Sequence, residues 1–185
     1  MAEGRGCREE GRQVLWAPWR MQYIEAPKAE GCIFCTPTDN PALRPALILG
    51  ATLHARVMLN KYPYNNGHLL IAPHRHTAQL ADLPEDEFHD LMSLLRRAVA
   101  VVETALHPQG INIGMNLGTG AGAGVTDHLH WHVVPRWVGD TNFMPVVGAV
   151  RVMPQHLLES YDQLRPYFAP SAAVQEGDLH HSQQR

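Results

Sequence analysis

The chain has 185 residues, 18 acidic against 15 basic for a formal charge of −3, and 45% hydrophobic residues. At this length folding removes roughly 70% of the accessible surface, enough for one domain with a real core. The composition excludes a disordered chain, the 15 Gly and 14 Pro follow no collagen-like period, and the near-neutral charge argues against a nucleic-acid-coating protein. With no apolar run of membrane-spanning length and a polar, charged stretch from Met1 to Arg12, the chain reads as soluble and cytoplasmic.

Residues 1–14 read as a tail. Residues 15–24 hold two of the four tryptophans and read as a strap packed over a sheet face or a subunit seam. Residues 32–45, with Pro37, Pro41 and Pro45, suggest a knuckle and loop. Short apolar runs at 46–49, 55–60 and 68–73, separated by Gly50 and by residues 63–67, predict three strands. Acidic residues after Pro84 open a helix whose apolar face is Phe88, Leu91, Leu94, Leu95, Val99 and Val102, and Pro108 and Gly110 stop it. Residues 111–117 and 128–135 predict two further strands, joined by a loop that begins with four glycines at alternate positions from Gly118 to Gly124. An amphipathic stretch at 153–168 follows, and residues 169–185 read as a disordered tail. Strands, helix, then strands without strict alternation mean an α+β fold with an antiparallel sheet, a single domain over residues 15–168.

Twelve histidines are the compositional oddity, and His128-Leu129-His130-Trp131-His132-Val133-Val134 is the informative segment. In a strand the three imidazoles share one face, about 7 Å from one to the next, while Leu129, Trp131 and Val133 face the other. A histidine row can be a metal site, a surface tag or a catalytic face. A tag would not alternate with large apolar residues, and a core strand that faces three histidines one way gives up sheet stability for function. Neutral imidazole attacks phosphoanhydrides to form a phosphoramidate, and the central His130 can be oriented from both sides, so it is the expected nucleophile. The glycine-rich loop beside it suits oxyanions, because its backbone N–H groups approach phosphate unobstructed. Three cysteines, two of them spaced as Cys32-Ile33-Phe34-Cys35, suit a reducing compartment with a metal or redox pair. The flanks of that pair offer no βαβ context for a thioredoxin-like role, and a zinc site would need two more nitrogen or sulfur ligands from elsewhere.

The seven-residue pattern resembles the signature of the histidine-triad (HIT) superfamily of nucleotide hydrolases and transferases. The resemblance runs from about Leu15 to about Phe168. Leu15-Trp16-Ala17-Pro18-Trp19-Arg20, the cysteine pair, Leu59-Asn60-Lys61-Tyr62-Pro63, Gly67-His68-Leu69-Leu70 and Val134-Pro135-Arg136-Trp137 look like its bacterial branch similar to diadenosine tetraphosphate (Ap4A) phosphorylases. It implies a five-stranded antiparallel sheet with two main helices, a homodimer, and a covalent nucleotidyl intermediate on His130 with His132 hydrogen-bonding phosphate oxygens. It places Asn60 at the ribose, Asn116 and the loop glycines Gly122 and Gly124 at phosphate, and Trp137 at the base or the partner subunit. Zinc-bearing members imply a structural Zn²⁺ on Cys32, Cys35, His76 and His128. His68 and His74 are expected to be structural or exposed, and His54, His89, His107 and His156 to lie on the surface. Gly124 stands where many members carry Gln, Ser or Thr to serve the leaving group; a polyphosphate, whose terminal group titrates at about pH 6, needs no such acid.

The expected reaction is cleavage of dinucleoside polyphosphates, Ap4A above all, with inorganic phosphate as acceptor to give ADP and ATP. Hydrolysis by water, a purine-nucleotide phosphoramidase and a non-catalytic nucleotide-binding module are the alternatives; Asn60, where the phosphoramidase branch has an acidic ribose ligand, argues against that branch. A hydrolase with all three triad histidines on one zinc meets a geometric obstacle, since alternate strand residues span about 13 Å and Zn–N bonds are about 2.1 Å.

Overall fold

The computed structural model describes residues 31–38, 42–140, 153 and 155–169; the strap at 15–24 and, apart from Ala169, both expected tails lie outside them. Short runs rich in apolar residues, continuous and buried throughout in β2 and β3, make five strands: β1 (Ile48–Ala51), β2 (Ala55–Leu59), β3 (Leu69–Pro73), β4 (Gly110–Met115) and β5 (Trp131–Arg136). They form one sheet in the order β1-β2-β3-β5-β4, with every neighbour antiparallel. Two helices, α1 (Glu85–Leu106) and α2 (Leu157–Phe168), complete the fold.

Register sorts the sheet into two faces. Leu59, Leu69, Val133 and Ile113 align across β2, β3, β5 and β4, and the first three are buried with Leu91 and Leu94 of α1 and Leu164 of α2. Each such side chain contributes roughly 1.5–3 kcal/mol on burial. The other face aligns Met58, Leu70, His132 and Gly114, and carries a smaller apolar cluster of Phe34, Ile48, Met58, Leu70 and Ala72. α1 opens at Pro84 with Glu85, Asp86 and Glu87 in its first turn, where carboxylates favour the helix dipole, and closes on His107 in the left-handed region. Ala98 and Val101 join the buried face expected for it.

Several element ends differ from expectation, among them β3, which begins at Leu69, β4, which ends at Met115, and α2, which begins at Leu157; two further differences have a visible local cause. β1 begins at Ile48, two residues later, and runs through Gly50. That glycine admits α2: a Cβ there would stand 2.9 Å from the Phe168 carbonyl oxygen, and the Tyr161 hydroxyl donates to Ile48 O at 3.0 Å beside it. The β5 ladder starts only at Trp131, because β3 and β5 pair over three residues and then part. Beyond that point Leu129 N–H bonds to Thr77 O at 2.7 Å and a histidine side chain takes the Pro73 carbonyl.

Candidate active site

The parting of β3 from β5 gives each triad histidine a different partner. His128 is fully buried, and its Nε2–H donates to Pro73 O at 3.0 Å, which leaves the Nδ1 lone pair free. His130 donates from Nδ1 to the carbonyl of His128 at 3.0 Å; a carbonyl only accepts, so the neutral ring keeps an unprotonated Nε2. His132 Nδ1 lies 3.0 Å from Nε2 of His68, a fully buried ring. Backbone N–H of Tyr64 donates to His68 Nδ1 at 3.0 Å, and the Asn60 amide approaches the same atom at 3.2 Å. His68 therefore carries its proton on Nε2 and donates it to His132 Nδ1, so neutral His132 holds its own proton on Nε2. One ring thus presents an Nε2 lone pair, the next an Nε2–H donor.

Burial favours these neutral forms. It pushes His132 down to about 4, helped by the neighbouring His130, and lowers His130 against the hydrogen bond from its own Nδ1–H. The rings of His130 and His132 meet edge to face, 4.9 Å between centroids. Tyr64 covers the far side, 4.6 Å from His68 and 5.7 Å from His132.

Expected to be structural or exposed, His68 is fully buried and hydrogen-bonded to His132. The signal for it is parity: residues 68, 70 and 72 share a face, and Leu70 aligns with His132. Seeing it requires knowing that β3 pairs with β5. Gly67, at φ +71, turns the chain into His68.

Asn116 follows β4 one step beyond Met115; since Gly114 aligns with His132, continuing the register sets Asn116 across from His130. The loop between β4 and β5 begins at the same end, with Gly118 and Gly122 both at positive φ and Gly122 N–H bonded to Thr119 O. Gly124 is exposed, and Val125 packs on the small apolar cluster of the histidine face. Asn60 is engaged within its own loop, its Oδ1 accepting Tyr62 N–H at 2.9 Å. Trp137 is half-buried beyond the opposite end of β5, its Cα on the order of 17 Å from that of His132 along the strand. A turn closed by Asp140, which pairs with Arg136 at 2.6 Å and accepts Trp137 N–H, holds it there.

Cys32, Cys35, His76 and His128 offer ligand atoms that all lie within 4.8 Å of one another. The separations are 3.3 Å from Cys32 Sγ to His128 Nδ1, 3.3 Å from Cys35 Sγ to His76 Nδ1, 3.6 Å from Cys35 Sγ to His128 Nδ1 and 3.3 Å between the two Nδ1 atoms. A tetrahedral ion with Zn–S bonds of about 2.3 Å and Zn–N bonds of about 2.05 Å has edges of roughly 3.3–3.8 Å, so the donor set fits. Outer partners are in place: Pro73 O fixes the His128 tautomer, and Asp127 faces His76 Nε2 at 3.8 Å. The buried Arg56 guanidinium donates to Thr36 O and to His74 Nδ1 at 2.7 Å, and it feels both thiols. The three triad histidines do not share one metal position: His128 Nδ1 belongs to the cysteine group, while Nδ1 of His130 and of His132 are taken by His128 O and His68.

An antiparallel five-stranded sheet that presents these three histidines is the architecture of a histidine-triad protein. The HIT domain family matches residues 43–138, and the chain belongs to that family. It is similar to the AP-4-A phosphorylase of Mycobacterium tuberculosis, 40% identical over 165 residues that cover 85% of this chain and 84% of the relative. It is also similar to the bis(5'-adenosyl)-triphosphatase of Dictyostelium discoideum, 33% identical over 94 residues, 51% of this chain and 62% of that one. Among solved structures, a Zn-bound histidine-triad family protein from Mycobacterium smegmatis superposes with a TM-score of 0.56 at 26% identity, covering 75% of this chain and 94% of its own.

Proposed function

We propose that this chain is a nucleotidyl-transferring enzyme that splits dinucleoside polyphosphates, Ap4A above all, with inorganic phosphate as acceptor. The fixed tautomer of His130 carries the proposal: a buried imidazole whose Nδ1–H is held by a carbonyl has its Nε2 lone pair available for phosphorus. Nε2 attacks the α-phosphorus; a P–N bond forms as the P–O bond to the bridging oxygen breaks, and ATP departs. A phosphate oxygen then attacks the same phosphorus, the P–N electron pair returns to Nε2, and ADP leaves. His132 Nε2–H donates to a non-bridging oxygen through both steps, joined by Asn116 and the loop amides at Gly122 and Gly124. Asn60 takes the ribose. The departing polyphosphate needs no general acid, which suits the bare Gly124. Similarity to the mycobacterial AP-4-A phosphorylase supports the substrate and the acceptor.

Cys32, Cys35, His76 and His128 would hold a structural Zn²⁺, a reading supported by their spacing and by the Zn-bound relative. Such an ion crosslinks the cysteine turn to the ends of β3 and β5 and takes no reacting atom. Paired thiols of this kind belong in a reducing compartment, consistent with a cytoplasmic protein. The chain works as a homodimer in which Trp137, far from its own triad, serves the partner's site. Similarity to the Dictyostelium bis(5'-adenosyl)-triphosphatase favours a second reading, in which water replaces phosphate and releases AMP.

Product analysis of Ap4A incubated with and without inorganic phosphate, beside His130→Ala, tests the proposal. Phosphate-dependent ADP plus ATP, lost in the variant, is expected. Phosphate-independent AMP plus ATP would assign the hydrolase reading, and no turnover would overturn both.

A further inference from the structure

We infer that Phe34, carried between the two cysteines of the metal group, is a positioning residue for His130: closing the cysteine turn on a metal ion seats the Phe34 ring against the nucleophilic imidazole. The inference rests on the nucleotidyl-transfer reading above and deepens it by tying metal loading to the reactivity of the triad.

The supporting contacts are specific. Phe34 is completely buried, and its ring centroid lies 4.6 Å from that of His130 at a 31° tilt and 5.1 Å from that of His128 at 46°. Ile48, Met58, Leu70 and Ala72 form the apolar bed on which it rests. The backbone that delivers it is a three-residue 3-10 turn, Ile33–Cys35, closed by one bond from Cys35 N–H to Cys32 O at 3.0 Å. A turn this short has little stability of its own, so its place is set by its anchors. Those anchors are Cys32 and Cys35 on either side of Phe34, and Arg56, which holds Thr36 O just beyond.

A second hold on the His130 ring, beside its edge-to-face contact with His132, comes from the same group. His130 Nδ1–H is bonded to the backbone carbonyl of His128, whose side chain offers Nδ1 to the metal position. Thus the carbonyl that fixes the tautomer and the aromatic face that fixes the ring plane both belong to segments that the metal would clamp. A leucine at position 34 would fill much of the volume but define no plane, because flat aromatic contacts have angular preferences that branched aliphatics lack. Small angular errors in a nucleophile are costly: a misplacement of about 1 Å can lower a rate on the order of a hundredfold.

The test compares zinc-loaded wild type, zinc-stripped wild type and zinc-loaded Phe34→Leu. Three quantities are read: zinc per chain, the imidazole ¹H–¹⁵N resonances of His130, and kcat and KM for Ap4A. Phe34→Leu is expected to keep its zinc and its KM while kcat falls about tenfold or more. Its His130 resonances shift from the wild-type positions, and zinc stripping of wild type shifts them too. The inference is overturned if zinc-loaded Phe34→Leu matches wild type in kcat and in His130 resonances, or if stripping zinc from wild type leaves those resonances unmoved. Should Phe34→Leu fail to fold, Phe34→Met takes its place with the same three readings and the same outcomes. Wild type that cannot turn over Ap4A would defeat the reading of function, while the resonance comparison would still test the placement of His130.

Discussion

At the scale of single residues, the three triad imidazoles differ in what each Nδ1 meets: the group of Cys32, Cys35 and His76, a carbonyl oxygen, and the Nε2 of a second histidine. His68 is the residue on which the third assignment depends. Replacing it by Ala leaves His132 free to adopt the other tautomer and to lose its orientation, so kcat on Ap4A is expected to fall about a hundredfold with zinc content unchanged. Steady-state kinetics beside metal analysis checks this; wild-type kcat would remove His68 from the machinery. His132 also makes stability depend on pH. Its folded value of about 4 lies below the ordinary 6.5, so the unfolded chain binds more protons between the two. The stabilisation is complete above about pH 6.5 and is lost as pH falls through about 4. Urea midpoints should drop across that window, and more shallowly in His132→Asn. Alternation within one short segment makes the triad legible in the sequence itself. His68 is not legible there, because its parity matters only once β3 is known to lie beside β5.

At the scale of elements, short apolar runs bounded by turn residues locate β1 to β3, the alternating histidine segment locates β5, and three-to-four spacing locates α1. The misjudged edges have local physical causes. Gly50 reads as a terminator, whereas it lies inside β1 where α2 comes close, and His128 reads as the start of β5, whereas side chains there have taken over the bonds of the ladder. Gly67 couples an element boundary to the site. Its φ of +71 favours glycine, and an added Cβ would overlap Leu106 Cδ1 of α1. Gly67→Ala is expected to destabilise the fold by about 1 to 3 kcal/mol and to lower kcat by shifting His68. Urea denaturation and kinetics on the same preparation measure both, and an unchanged pair of values would contradict this account of the turn.

At the scale of the whole molecule, strand order is beyond the reach of sequence pattern: nothing in a run of alternating residues says that β5 inserts between β3 and β4. That order sets Asn60 and His68 at the end of the sheet where β5 finishes, and Asn116 with the glycine loop at the end where β5 starts, so the two groups reach the triad from opposite ends. It also leaves β4 at an edge, where among the described residues it pairs only with β5 and exposes Ile113 and nearby Leu117. We expect this edge to meet its counterpart in a homodimer. Sedimentation should give twice the chain mass, and Ile113→Lys should give the monomer; a monomeric wild type would contradict the dimer and the role given to Trp137.

The central claim is that His130 carries the nucleotidyl group. Its most direct test is intact-mass and peptide mass spectrometry of enzyme quenched during turnover of Ap4A without phosphate. One AMP unit per chain, mapped to His130 and released by added phosphate, is the predicted result. Continued turnover with no adduct, or an adduct on another residue, would contradict it.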